Sequence, residues 1–221
     1  MKITPLASLA LMLALSATLV AQQPPPARPL SPDGIASVQV LGEWQKADRE
    51  TYTMVGSGRY TGGKWIDIPY GRPLLRGREA FTGTGSDFGK AAYGPDAPVW
   101  RAGANVSTRL RSEVPLTIAG VTVPAGEHTL FIEFKGPTDW TFIVSRWPAQ
   151  LKYDTTNKEA LYGAFFYTPD KDVLRAPMKV ETLPIKYEQL TWEFFDMTPT
   201  SGRMAIMWDK TMASVPFTVS R

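Results

Sequence analysis

Short runs in which apolar and polar residues alternate recur along most of this 221-residue chain. Lys64 to Tyr70 sets Ile66, Ile68 and Tyr70 against Trp65, Asp67 and Pro69. His128 to Phe134 puts His128, Leu130, Ile132 and Phe134 on one side, and Trp140 to Val144 alternates in the same way. Further on, Leu190, Trp192 and Phe194 share a face, as do Met204, Ile206 and Trp208, then Val215, Phe217 and Val219. Ile35 to Leu41 alternates more loosely. A period of two is the signature of a strand with one buried face. Gly136-Pro-Thr-Asp139 between two of the runs is a ready hairpin turn. The pattern predicts an all-β fold: a single-domain antiparallel β-sandwich, or a partly closed barrel, with little helix. Nineteen prolines and eighteen glycines leave few uninterrupted windows, and only Trp147 to Lys152 offers a helical turn or two. Trp140, Trp192 and Trp208 are in phase with aliphatic neighbours and are expected in the core. Trp147 and Tyr162 to Tyr167 stand in less regular surroundings, better suited to a groove wall.

The start of the chain follows different rules. Residues 1–21 carry Lys2, then an almost wholly apolar stretch from Leu6 to Val20 and Ala21 before an abrupt polar change. That is the template of an export signal, too short and too weakly flanked for a membrane-spanning helix. Residues 22–34 are rich in proline and form an extended tether. Residues 35–221 make the folded domain. The expected location is therefore periplasmic or secreted, with no membrane span after cleavage. Cysteine is absent, so the core alone stabilises the domain. Loss of Lys2 with the leader leaves 23 basic against 21 acidic residues, a balance too mild for a nucleic-acid partner.

Candidate chemistry concentrates in Tyr70-Gly-Arg-Pro-Leu-Leu-Arg-Gly-Arg-Glu79 and in Val99-Trp-Arg-Ala-Gly-Ala-Asn105. Guanidinium groups keep their charge, so a cluster of them needs carboxylates, an anion or water. Tyr70, Arg72, Arg76, Arg78, Trp100, Arg101 and Asn105 are the candidate ligand-binding residues. On a strand, Arg76 and Arg78 point the same way. Such a set suits an anionic small molecule or an acidic glycan through forked hydrogen bonds. Its structural alternative pairs these arginines with Asp67, Glu79 or Asp87. Asn105 serves either to cap a turn or to offer an amide to a ligand. The small-residue loop Thr82 to Gly89 lacks the lysine-serine ending of a phosphate loop and is a candidate lid over the arginines.

The run Ile68 to Phe81, the segment Val99 to Asn105 with Thr108, Ile118 to Phe131, Asp139-Trp-Thr-Phe-Ile143 and Val215-Pro-Phe217 together resemble the bacterial exported family called domain of unknown function 2911. The likeness covers most of Ile66 to Val219. It implies an exported, β-rich domain and gives no substrate, reaction or cofactor. It also implies an acidic residue near Val106, a tyrosine near His128 and a shorter path from Arg78 to Trp100, and this chain departs from it at each.

Two further function classes stand beside ligand binding: an envelope or glycan hydrolase, and a structural module of the periplasm or cell surface. The hydrolase would use Glu133, Asp139 or Glu193 as paired carboxylates, or a serine beside His128. No nucleophile elbow is present, and Ser57 lacks its strand-to-helix setting. His128 is the only histidine, no metal-ligand spacing surrounds it, and a packed role is expected. No metal and no cofactor are expected, and catalytic residues stay unassigned.

Overall fold

A computed structural model of the chain describes residues 29–45, 59–94 and 97–220. The expected leader lies outside the described residues, as do residues 22–28 of the expected tether. Among the described residues twelve strands form two facing sheets and a small hairpin, with no closed barrel. The larger sheet holds six antiparallel strands: β1 (Asp33–Val40), β4 (Lys64–Gly71), β5 (Arg109–Ser112), β8 (Gly126–Phe134), β9 (Trp140–Ser145) and β10 (Asp172–Pro177), in that spatial order. Opposite it lie β11 (Lys179–Phe195), β12 (Ser201–Thr218), β6 (Leu116–Ile118) and β7 (Val121–Val123), again in spatial order. The hairpin pairs β2 (Glu43–Gln45) with β3 (Arg59–Thr61).

The all-β sandwich expectation holds, and among the described residues helix is confined to three short 3-10 turns. Its cause is the alternation itself. Ile66, Ile68 and Tyr70 of β4, His128, Leu130, Ile132 and Phe134 of β8, and Trp192, Ile206 and Phe217 of the opposite sheet are all buried. Burial of this apolar surface drives the two sheets together at roughly 25 cal/mol per Å². Trp140, Trp192 and Trp208 are core residues as expected. Phe81, Trp100, Phe134, Trp140 and Trp208 form an aromatic block at one end of the sandwich.

The outer face of the six-stranded sheet is covered over only half its width. Phe131 and Ile143, pointing outward from β8 and β9, pack with Leu161, Ala164 and Tyr167 of the long segment between β9 and β10. On β1, β4 and β5 the outward residues Ile35, Trp65 and Arg111 stay exposed. The turn expected at Gly136 to Asp139 joins β8 to β9, with the Lys135 N–H donating to the Asp139 carbonyl at 2.9 Å.

The helical turn expected at Trp147 to Lys152 does not form. Pro148 supplies no backbone donor, and Gln150 takes over the local hydrogen bonding. Its buried amide donates to the carbonyls of Asp154, Asn157 and Ala160, and its oxygen accepts the Asp154 N–H at 2.9 Å. A side chain satisfies this backbone from within the loop, in place of helical bonds. At the other end, β1 begins at Asp33. The Pro32 carbonyl accepts the Arg72 N–H at 2.8 Å, so the last residues of the tether are docked on the body.

Candidate functional site

The seven candidate residues fall in three places, and only Tyr70 lies on one of the strands. Tyr70 and Trp100 point into the sandwich, 5% and 2% exposed. Trp100 exchanges both backbone bonds with Ile132, at 2.8 and 2.9 Å, and its ring stacks on Trp208 with centroids 6.3 Å apart and planes 9° from parallel. Burial pushes the Tyr70 hydroxyl above its ordinary value. The Trp100 ring is no free wall for a ligand, whereas Tyr70 borders the cavity described below. Arg72, two residues past Tyr70, lays its aliphatic stem over Gly34, where a Cβ would collide with Arg72 Cδ, and its Nε is buried without a partner.

Arg76 and Arg78 form the second group, on an exposed turn. They are not on a strand, so the shared-face expectation fails. Arg76 and Gly77 both take positive φ (51° and 79°), which reverses the chain and ends any period of two. The Arg76 N–H donates to Glu188 Oε1 at 2.6 Å. Arg78 turns back on its own loop, donating from Nε to the Leu75 carbonyl at 3.0 Å and from Nη2 to the Leu74 carbonyl at 2.8 Å.

Arg101 and Asn105 make the third group. The Arg101 guanidinium sits beneath Gly163, where a Cβ would fall 2.7 Å from Nη1. It donates to the Asn105 carbonyl at 2.6 Å. Burial lowers its pKa, with Tyr162 opposing. Asn105 holds a left-handed φ of 61°, a conformation asparagine tolerates, and its Nδ2 donates to the Ser31 carbonyl at 2.8 Å. Asn105 is thus the turn residue that pins the incoming chain. Among the described residues, none of these four arginines has a carboxylate within ion-pair distance, and Asp87 pairs with Lys90. The expected pairing with Asp67, Glu79 or Asp87 is therefore absent there. The loop Thr82 to Gly89 is no lid over the arginines. Its end packs on Phe134, against which Phe88 lies edge-on at 6.2 Å, and the Tyr93 hydroxyl accepts the Phe134 N–H at 2.8 Å.

A different arginine faces a cavity. Arg109 projects outward from β5 into a pocket of about 450 Å³, lined also by Asp33, Gly34, Ile35, Tyr70, Val106 and Leu151 among others, so Tyr70 is the one sequence-predicted candidate that borders it. Its side chain is 11% exposed and its Nε is a buried donor with no acceptor. The nearest carboxylate oxygen, on Glu127, stands 3.8 Å from Nη1 and is bound to Arg111 Nε at 2.5 Å. Burial works against the Arg109 charge and Glu127 partly offsets it. Asp33 also lines the cavity, so the pocket offers a forked donor and an acceptor together. Sequence reasoning passed over Arg109. Its signal is the alternation Arg109-Leu110-Arg111-Ser112, in which Leu110 is buried and both arginines face out.

At the other end of β1 and β4 lies a second pocket, of about 390 Å³, lined by Ser37, Gln39, Trp44, Tyr60, Trp65 and Thr198 among others. The groove-wall candidates Tyr162, Phe165 and Phe166 instead line a small cavity of about 150 Å³ inside the long loop. Trp147 lies half-buried with the Lys171 ammonium 3.4 Å above its ring.

Two of the hydrolase candidates, Glu133 and His128, are engaged elsewhere. Glu133 is held by Arg175 at 2.7 Å and Lys135 at 3.7 Å. His128 is buried with Nε2 2.9 Å from the Pro124 carbonyl. Ser57 lies outside the described residues. Among the described residues no cluster of three metal-ligating side chains occurs, and no helix is long and apolar enough to cross a membrane.

No curated protein and no solved structure matches this chain. A family model described as "Protein of unknown function (DUF2911)" matches residues 56–217. That span takes in every strand from β3 to β11 and nearly all of β12, so the chain belongs to the DUF2911 family.

Proposed function

We propose that this protein is a ligand-binding sandwich that takes a small hydroxylated anion, an acidic sugar above all, in the pocket beside Arg109. The observation that carries the reading is the Arg109 Nε–H, buried without an acceptor at the wall of an open cavity. A buried donor left unmatched costs about 1–3 kcal/mol. A ligand carboxylate would supply the missing acceptor, and sugar hydroxyls would donate to Asp33. Arg72, whose stem lies over Gly34, adds positive charge beside the pocket, Tyr70 lines it, and Asn105 holds the backbone next to Val106. The hydrolase reading has no specific observation in its favour.

Calorimetry of the mature protein against glucuronate, galacturonate and glucose tests this. The uronates should bind and glucose should not. Arg109→Gln should weaken uronate binding at least tenfold, the scale of a lost charge-assisted bond of about 1.5–3 kcal/mol. Equal heats for variant and wild type would remove the pocket from consideration. The leader-like residues 1–21 support export, and N-terminal sequencing of the protein recovered outside the cytoplasm checks it.

A further inference from the structure

The aromatic pocket formed by Trp44, Tyr60 and Trp65 plays no part in that reading. Trp44 is 68% and Trp65 46% exposed, and neither belongs to a core cluster. Leaving two indoles in water forgoes the burial that stabilises the other tryptophans. Their positions are nonetheless fixed. Trp65 is held in β4, where its N–H donates to Glu113 Oε2 at 2.9 Å and its carbonyl accepts the Glu113 N–H at 3.0 Å. Tyr60 packs edge-on against Trp44 with centroids 5.4 Å apart, and its hydroxyl accepts the Gly42 N–H at 2.9 Å. Around these rings stand the hydroxyls of Ser37 and Thr198 and the amide of Gln39, and among the described residues no charged side chain lines the pocket. Flat apolar faces ringed by neutral donors and acceptors match a pyranose, which has a C–H face and an equatorial belt of hydroxyls.

The two pockets share one surface. Asp33, Ile35 and Pro69 line the first, and Ser37, Gln39 and Trp65 the second. All six sit on β1 and β4, paired as Ile35 with Pro69 and Gln39 with Trp65. Asp33 and Gln39 are therefore about 20 Å apart along one strand, too far for one sugar unit to bridge. We infer that the aromatic pocket is a second subsite, which stacks a neutral pyranose unit, and that the ligand is an acidic oligosaccharide lying along β1 and β4 with its carboxylate at Arg109. This rests on the acidic-sugar reading and extends it from a monomer to a chain.

Calorimetry with glucuronate, an acidic hexamer of five glucose units ended by one glucuronate, and the neutral hexamer of glucose separates the two readings. The acidic hexamer should bind at least about tenfold more tightly than the monomer, and Trp65→Ala should abolish that gain while leaving monomer affinity unchanged. The neutral hexamer should bind weakly, quench tryptophan fluorescence, and respond to Trp65→Ala but not to Arg109→Gln. Monomer binding that depends on Arg109, with no gain on lengthening, would overturn the subsite and leave the acidic pocket standing. Neutral-hexamer binding alone would sink the acidic pocket and the continuous chain. A peptide spanning Gln22 to Pro32 that binds where no saccharide does would make the groove a polyproline site and overturn the inference.

Discussion

Gly71 and Ala104 meet backbone to backbone: the Ala104 N–H donates to the Gly71 carbonyl at 3.2 Å, and a Cβ on Gly71 would run into the Ala104 carbonyl oxygen. Gly103 is pressed the same way, a Cβ there falling 2.8 Å from Thr108 Oγ1. This contact braces the end of β4 against the Trp100 to Asn105 segment, and the two stretches richest in arginine and glycine are its two sides. Gly71→Ala should cost about 1–3 kcal/mol, as overpacking does, because the obstructing atom is backbone. Urea unfolding of the variant checks it.

The tryptophans divide sharply by role. Trp100→Ala removes a fully packed indole and should cost about 3–5 kcal/mol. Trp65→Ala removes an exposed one and should change stability by less than about 0.5 kcal/mol. Denaturant midpoints of the two variants, measured side by side, test the division.

The long loop after β9 hangs on one amide. Gln150→Leu leaves the carbonyls of Asp154, Asn157 and Ala160 without their shared donor, at a cost of about 1–3 kcal/mol if they stay buried. The loop should open locally first, so amide exchange between residues 150 and 161 should quicken well before global unfolding.

Three tyrosines set an alkaline limit. Burial raises the pKa of Tyr70 and Tyr93, and burial with a 2.6 Å hydrogen bond to Asp172 raises that of Tyr167. Their unfolded value is about 10. Below it, both states hold the proton and the stability is full. As pH rises past it, the unfolded chain ionises first and stability falls, by up to about 1.4 kcal/mol per pH unit for each such group. The thermal midpoint should therefore drop above pH 10, and Tyr167→Phe should make that drop shallower.

The fold was legible because its strands alternate cleanly: the phase of Ile66, Ile68 and Tyr70, or of Leu130, Ile132 and Phe134, decides which side is buried. The site was less so. Reading Arg76 and Arg78 as strand residues required a φ that the Arg76-Gly77 turn does not have. The Arg109 pocket draws on β1, β4, the residue after Asn105 and Leu151, segments far apart in sequence that meet only in the folded domain. The aromatic pocket depends on β2 and β3, three residues each, too short for any period to register.

The stacked indoles of Trp100 and Trp208 give the molecule an optical signature of its own. Trp100 is bonded to β8 of one sheet, and Trp208 belongs to β12 of the other. Two nearly parallel chromophores that close couple excitonically, so their circular dichroism couplet arises only once the sheets have docked. Far-ultraviolet signal from the strands and the couplet from this pair would then separate hairpin formation from sandwich closure in one refolding trace.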